Sequence, residues 1–216
     1  DPATAPSAGD RDRKYKLYRF MDPWGSGRAL IVAFRDKALG VRFEYRFRFY
    51  EDAPYFTVQC AAASRAQHDI RVSDMEPVRA DARRGGGLFV GEDPAAVRVL
   101  ENGHKKYMDF WVRIVNGDEP VSSNWNAAFH DPASGRSAVI GFLTMDAGFL
   151  QVRSSYNPDH SEHAGLWRAF STLRAAASYE PHKTLHYGDT FESETVFVMP
   201  DMESPFRALE TFGAAV

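Results

Sequence analysis

The chain has 216 residues, of which 44% are hydrophobic and 13% aromatic, and its net charge is −3. This is enough apolar material for a substantial core in one large domain or two small ones. Phosphate backbones and anionic membranes attract proteins that carry clustered, uncompensated Lys and Arg residues. The slightly negative net charge of this chain does not favour such clusters. We therefore expect neither nucleic acid nor a membrane as a partner, and no apolar stretch of the sequence approaches the ~20 residues that span a bilayer.

The first 13 residues are rich in Pro, Ala, Ser and Gly and have no apolar periodicity. This composition is typical of a flexible linker. We predict a linker over residues 1–13, followed by a β domain over residues 14–200. We find no signal peptide, and if the protein is exported we expect its signal to have been removed already.

The clearest structural signal is the run Val41–Tyr50, in which aromatic and charged residues alternate. This alternation predicts a β-strand with one dry face. After a short interruption the pattern resumes with Phe56, Val58 and Cys60 on one side, which predicts a hairpin. Cys60 is the single cysteine, so an internal disulfide is excluded, and its inward position predicts a buried thiol without redox chemistry.

Many other short segments with strand-like composition are bounded by turn residues. They lie at residues 15–20, 29–34, 55–61, 70–72, 88–90, 97–100, 109–115, 138–144, 149–155, 166–173, 175–179 and 190–199. No repeat of fixed period emerges. We predict an all-β fold, a large sandwich of two mostly antiparallel sheets.

One helix is predicted at the end of the chain, within residues 201–216. Ser204 suits the N-cap position, Pro205 suits the first turn, and Gly213 is placed to end the helix. Three residues would share its apolar face, namely Phe206, Leu209 and Phe212. This face needs a partner, which is either the sheet or a domain that follows Val216. Because the chain ends abruptly after the helix, we favour a fragment with a further domain after Val216.

Three motifs add a family resemblance to this pattern. They are Val41–Tyr50 leading into EDAPYF, NWN followed by SGRSAVIGFLT within residues 124–144, and YGDTFESE at residues 187–194. Over residues 15–213 the chain resembles the N-terminal β-supersandwich of family-36-like α-galactosidases and raffinose-synthase-like proteins. The resemblance implies a galactose-mutarotase-like fold preceding a (β/α)8 barrel that carries the catalytic aspartates. It also implies a carbohydrate as the ligand.

The sequence itself selects no catalytic pair. A glycosidase needs two carboxylates about 5–9.5 Å apart, and 29 Asp and Glu residues offer too many combinations. Glu192 and Glu194 flank Ser193 and would share a strand face, although solvent-facing charges are the simpler interpretation. We predict no catalytic residue in this chain and no cofactor.

Histidines support two further hypotheses. His160 and His163 lie near Asp159 and Glu162, and all four are possible metal ligands. We favour a polar surface loop here and predict no metal site, because a metal also needs outer-shell partners. The second hypothesis is a sugar mutarotase or epimerase, with its acid or base among His104, His182 and His186.

Sugar binding requires aromatic faces for the apolar side of the ring and amides or carboxylates for its hydroxyls. Trp24 lies in a turn-rich segment, and Trp125 lies between Asn124 and Asn126. We predict these four residues as carbohydrate-binding, with core packing or contact with a neighbouring domain as alternative roles for the tryptophans. In a regular strand the amides would face away from Trp125, so convergence requires a bend.

These observations favour a non-catalytic N-terminal domain of a glycoside hydrolase resembling an α-galactosidase. Its expected partners are a carbohydrate and a downstream catalytic domain. Two alternatives stay open: an independent lectin-like module, and the mutarotase or epimerase described above.

Overall fold

The computed structural model describes residues 12–81, 90, 96–103, 110–114, 120–155 and 172–216. Their strands and single helix follow in chain order: β1 (Asp12–Asp22), β2 (Gly25–Asp36), β3 (Val41–Tyr50), β4 (Phe56–Ser64), β5 (Ile70–Asp81), β6 (Arg98–Asn102), β7 (Phe110–Ile114), β8 (Val121–Asn124), β9 (Asn126–His130), β10 (Ser137–Phe142), β11 (Phe149–Ser155), β12 (Thr172–Leu185), β13 (Thr190–Glu192), β14 (Val196–Met202) and α1 (Pro205–Ala215).

The strands form two sheets that pack face to face. The large sheet has ten strands, in the order β1-β2-β3-β4-β14-β10-β9-β6-β7, with β13 also pairing with β4. The small sheet has four strands, in the order β5-β12-β11-β8. The pairings are antiparallel throughout, and the predicted all-β sandwich is confirmed.

The predicted hairpin is present, with the bounds of β3 as expected. Tyr45 lies opposite Cys60 and Phe47 opposite Val58 in the pairing of β3 with β4. Cys60 is 4% exposed, and burial raises the pKa of its thiol to about 11. At neutral pH the thiol therefore stays protonated and behaves as a small apolar side chain.

The inner core lies between the two sheets. The large sheet contributes completely buried side chains such as Phe129 and Phe142, and the small sheet contributes Val152, Ala175 and Tyr179. Burial of so many apolar groups supplies most of the driving force for the two sheets to pack together.

The predicted dry face of β3 is wrong in part. The small sheet packs mainly against β4, β6, β9 and β10, whereas β1 and β2 extend beyond it and β3 reaches the inner core only with Val41, Phe43 and Tyr45. Phe43, Tyr45 and Phe47 are therefore only half-buried, and Phe49 is exposed. Strands lie about 5 Å apart within a sheet, so four strands cannot cover ten. We call the inward-facing side of β1, β2 and β3 the ledge.

Two other strand predictions need correction. The single strand expected at residues 190–199 is divided into β13 and β14, because residues 193–195 leave the ladder. There the Ser193 N–H donates to the Cys60 carbonyl, and the Thr195 N–H donates to the Thr144 hydroxyl. Conversely, β8 and β9 are strands of the structure that were not predicted from the sequence.

Some predictions fall wholly or partly outside the described residues. They concern residues 1–11 of the linker, residues 88–89, residues 109 and 115, and residues 166–171. The linker prediction extends too far, since β1 already begins at Asp12. Val90 is described and is not part of a strand.

The predicted helix is confirmed as α1. The hydroxyl of Ser204 accepts from the Arg207 N–H as an N-cap, and Pro205 occupies the first turn. Two details differ: Phe206 is 75% exposed, and the helix continues past Gly213. The buried face instead centres on Ala208 and Phe212. In the described part of the chain, no helix is long and apolar enough to cross a membrane.

Candidate functional site

The four predicted sugar-binding residues are divided between two faces of the molecule. Asn124 ends β8 in the small sheet, and Asn126 begins β9 in the large sheet. Trp125 stands between them with a φ of 70°, where the chain crosses from one sheet to the other. A bend is therefore present, but it separates the side chains instead of bringing them together. It directs Asn124 to the outer side of the small sheet, while Trp125 packs near α1.

Hydrogen bonds hold Trp125 in this left-handed conformation, which is unfavourable for a bulky residue. Its backbone N–H donates to the Leu150 carbonyl at 3.0 Å, and its carbonyl accepts from the Phe142 N–H at 3.1 Å. Its indole Nε1 donates to the Phe142 carbonyl at 2.7 Å. The ring lies 6.1 Å from that of Phe212, measured between centroids. Trp125 thus joins both sheets to the helix.

Trp24 contacts the helix from the other end. It lies in the turn between β1 and β2, where its backbone N–H donates to Asp22 Oδ1 at 3.0 Å. Its indole Nε1 donates to the Ala215 carbonyl at 2.8 Å, close to the C-terminus of α1. Both tryptophans are half-buried and have their indole N–H groups bonded to the backbone. Only ring faces and edges remain for another partner.

Both asparagines have bonded side chains. Asn126 is 8% exposed, and its Oδ1 accepts from Asn102 Nδ2 at 3.0 Å. Asn124 Oδ1 accepts from Gln151 Nε2 at 3.3 Å, while its Nδ2 donates to the Gly103 carbonyl at 3.5 Å. Asn126 therefore stabilises the strand junction, whereas Asn124 belongs to a half-exposed polar surface.

A second apolar cluster fixes α1 on the outer face of the large sheet. It comprises Ala128, Val139, Leu143, Phe197, Met199, Ala208 and Phe212, and both Trp24 and Trp125 pack against it. The close approach depends on Gly141, where a Cβ atom would lie 2.6 Å from the Phe212 ring. The two tryptophans thus lie near the C-terminal end of α1.

The outer face of the small sheet carries a cleft of about 720 Å³. Its lining combines an exposed loop with outward-facing residues of β11 and β12: Met145, Asp146, Ala147, Gly148, Phe149, Gln151, Arg153, Ser178 and Glu180. We call it the β11–β12 cleft. Asn124 lies at its margin, through its hydrogen bond to Gln151.

A chain of hydrogen bonds orders the polar floor of this cleft. Arg153 donates from Nε to Gln151 Oε1 at 2.9 Å, and its Nη2 donates to the same oxygen. Gln151 Nε2 then donates to Asn124. On the neighbouring strand the Ser178 hydroxyl donates to Asp74 Oδ1 at 2.6 Å. These bonds hold the amide and the guanidinium in defined orientations.

A buried carboxylate fixes the loop beside the cleft. Glu194 is 4% exposed, and its Oε2 accepts from the Thr144 hydroxyl at 2.7 Å and the Asp146 N–H at 3.2 Å. Its Oε1 accepts from the Ala147 N–H at 2.9 Å. Desolvating a carboxylate is costly, and these hydrogen bonds offset the cost. The loop is consequently held in one position.

The other buried carboxylates also have structural partners. Glu101, which is completely buried, accepts from Arg113 Nε at 2.6 Å and from the Ser122 N–H at 2.7 Å. Asp131 accepts from Ser134, and this hydrogen bond lowers the pKa of the Asp131 carboxyl. Each of these groups stabilises a strand pair or a turn.

The hypothesis that Glu192 and Glu194 face one site is wrong. Glu192 is exposed and pairs with Arg46 at 2.6 Å, whereas Glu194 points into the molecule. The break in the strand at residues 193–195 explains the difference, because strand alternation no longer applies there. The two carboxylates therefore do not form an acid–base pair on a common strand face.

The histidines that the structure describes lie at the surface or in local contacts. His186 Nδ1 lies 2.7 Å from Asp69 Oδ1, and this hydrogen bond raises the pKa of His186. His182 is exposed. The predictions for His104, His160 and His163 lie outside the described residues. Within the described ranges, no group of three or more His, Cys, Asp or Glu residues could hold a metal.

The β11–β12 cleft was not predicted from the sequence, although part of its lining lies on a strand that was. Residues 149–155 were predicted as a strand, and β11 has those bounds. Within this strand Phe149, Gln151 and Arg153 alternate with buried Leu150 and Val152. Phe149 is therefore an aromatic residue on the polar side of an alternating strand, and only the folded chain places exposed Met145 beside it in the lining of the cleft.

Comparison with known proteins gives no relative by sequence. No family model matches the chain, and no curated protein matches it. Solved structures do match. A variant of the GH36 α-galactosidase AgaA from Geobacillus stearothermophilus, in complex with 1-deoxygalactonojirimycin, has a TM-score of 0.66 and 10% identity. The match covers 95% of this chain and 30% of that one.

Two further structures give the same result. Another AgaA variant, in complex with stachyose, has a TM-score of 0.65 at 10% identity, covering 95% of this chain and 30% of that one. The α-galactosidase from Lactobacillus brevis has a TM-score of 0.59 at 10% identity, covering 95% of this chain and 29% of its own. This chain has the fold of one domain of these enzymes and spans about 30% of their length. The predicted resemblance is thus confirmed at the level of the fold.

Proposed function

We propose that this chain is the non-catalytic β-sandwich domain of a glycoside hydrolase resembling an α-galactosidase. One observation carries the proposal: the fold match takes in 95% of this chain but only 30% of the α-galactosidase. In a full-length protein organised in this way, the reaction centre would lie in the part of the protein that this chain does not match. The sandwich would then support a catalytic barrel that follows it.

The packing of α1 supports this role. Its buried face lies on β9, β10 and β14, and Trp24 bonds to the carbonyl of Ala215 near its end. A helix anchored along its length sets the direction in which a following domain would begin. Trp24 and Trp125, with Asn126, lie on this side of the molecule and would border that domain and its sugar, while Asn124 lies apart from them.

The test compares this chain with the product of its full reading frame. Both would be purified and assayed for hydrolysis of raffinose and of a chromogenic α-galactoside. We expect hydrolysis by the longer protein and none by the 216-residue chain. A reading frame that ends at Val216 would contradict the proposal. So would hydrolysis by this chain alone that is lost when one of its carboxylates is replaced.

A further inference from the structure

We propose that the β11–β12 cleft is a saccharide-binding subsite, formed by Phe149 as the apolar platform and by Gln151, Arg153 and Glu180 as hydroxyl partners. The proposal rests on the proposed function, since it names a carbohydrate contact within a domain of a carbohydrate-active enzyme. The site differs from the predicted set of Trp24, Asn124, Trp125 and Asn126, of which only Asn124 contacts it.

The apolar part of the cleft is exposed. Phe149 is 58% exposed at the start of β11, and Met145 is also 58% exposed in the adjoining loop. Phe149 lies opposite Ser178 on β12, so an aromatic ring and a hydroxyl are cross-strand neighbours. A sugar ring presents C–H groups on one face and hydroxyls at its edge, and this pairing offers a partner for each.

The polar part of the cleft contains both signs of charge. Asp146 and Glu180 line it beside Arg153. Among the described residues, none donates a hydrogen bond to the carboxylate of Asp146 or Glu180, and Nη1 of Arg153 donates to none of them. Sugar hydroxyls both donate and accept, so carboxylate acceptors and guanidinium donors can be satisfied by the same molecule.

This mixture of charges disfavours a simple cation or anion as the ligand. A metal cation would face Arg153, and the described residues of the cleft provide only two carboxylates, Asp146 and Glu180. An anion such as phosphate would be repelled by those same carboxylates. A neutral molecule rich in hydroxyls avoids both penalties. A volume of about 720 Å³ also lies within the range of about 300–1,000 Å³ that small-molecule sites occupy.

The cleft is organised before any ligand arrives. The buried Glu194 holds the loop through Thr144, Asp146 and Ala147. Gly148 brings this loop directly onto β12, since a Cβ atom there would lie 2.9 Å from the ring of Tyr179. A site whose loop and amides are already ordered loses less conformational entropy on binding.

The experiment titrates the 216-residue chain with raffinose, stachyose, maltotriose and cellotriose, using calorimetry and amide chemical-shift mapping. We expect at least one saccharide to bind and its shifts to centre on residues 145–153 and 178–180. Phe149→Ala should weaken that affinity about tenfold, the loss of one aromatic contact. Phe206→Ala removes a similarly exposed ring from α1 and should leave the affinity unchanged.

Arg153→Met gives an independent variant, because it keeps the length of the side chain and removes its donors. It should also weaken binding, with unchanged thermal unfolding as the control for folding. The proposal is overturned if none of the four saccharides binds. It is also overturned if Phe149→Ala and Arg153→Met both bind the saccharide with the affinity of the unsubstituted chain. Either result leaves the proposed function standing when the full reading frame hydrolyses raffinose. Absence of that hydrolysis contradicts the proposed function instead.

Discussion

The middle of the large sheet and the ledge belong to the same sheet, but the middle is packed on both faces and the ledge is left half-open. Every residue of β10 is buried, with Ala138, Ile140 and Phe142 facing the small sheet and Val139 facing α1. On the ledge, β3 keeps its aromatic face half-open. A continuous apolar run therefore marks a strand covered on both faces, whereas alternation marks the apolar side without showing what covers it.

The largest expected difference between these two regions concerns a pair of phenylalanines. Phe142→Ala removes a completely buried ring from the inner core and should lower the free energy of unfolding by about 3–5 kcal/mol. Phe47→Ala removes a half-buried ring from the ledge and should cost only about 1 kcal/mol. Urea unfolding of both variants and the wild type measures the difference. Equal losses would show that the ledge is as well covered as the middle.

Trp24 connects the strands that carry the ledge to α1, because it lies at the β1–β2 turn and donates a hydrogen bond to the end of the helix. Trp24→Phe keeps most of the ring and removes the hydrogen bond to the Ala215 carbonyl. We expect a loss of about 1 kcal/mol in the free energy of unfolding and faster amide exchange in the last turn of α1.

Tyr15→Phe is the matched control for that substitution, since Tyr15 lies on β1 of the ledge and is 65% exposed. It should change neither the free energy of unfolding nor the exchange of α1. Unchanged helix exchange in Trp24→Phe would mean that the indole hydrogen bond does not hold the helix end.

The smallest expected effect is a pH dependence at the surface. Asp69 raises the pKa of His186 above its ordinary value of about 6.5. A raised pKa in the folded state means that the contribution to stability is fully present below about pH 6.5 and is lost as pH rises through the folded pKa. NMR titration should show a lower pKa for His186 in Asp69→Asn. An unchanged pKa would show that the pair does not persist in solution.

Much of the fold was predictable because its signals are local. The bounds of β3 and β11 and the N-cap at Ser204 follow from short-range patterns in the chain. The central strand β9 was not predictable in this way. Its sequence, NAAFH, lacks β-branched residues and alternation, and it pairs with β6 and β10 because both neighbours are present.

The candidate site was less predictable than the fold. The four residues chosen from the sequence have side chains of the kind that binds sugars, but they do not meet in one site. The chain crosses between the sheets at Trp125, which places Asn124 on a different face from the others. The β11–β12 cleft brings together residues from two strands and a loop that are separated in the chain. No local pattern shows that Glu194 is buried beneath that loop, because its hydrogen-bond partners are about 50 residues away.

The sequence by itself determined an antiparallel β-sandwich with a capped terminal helix, because alternation, turn residues and capping act over a few neighbouring positions. Only the tertiary structure decided which apolar faces are covered, where the chain changes sheets and which polar side chains meet in a cleft. Those outcomes depend on the relative size and placement of the two sheets, and each requires contacts between distant parts of the chain.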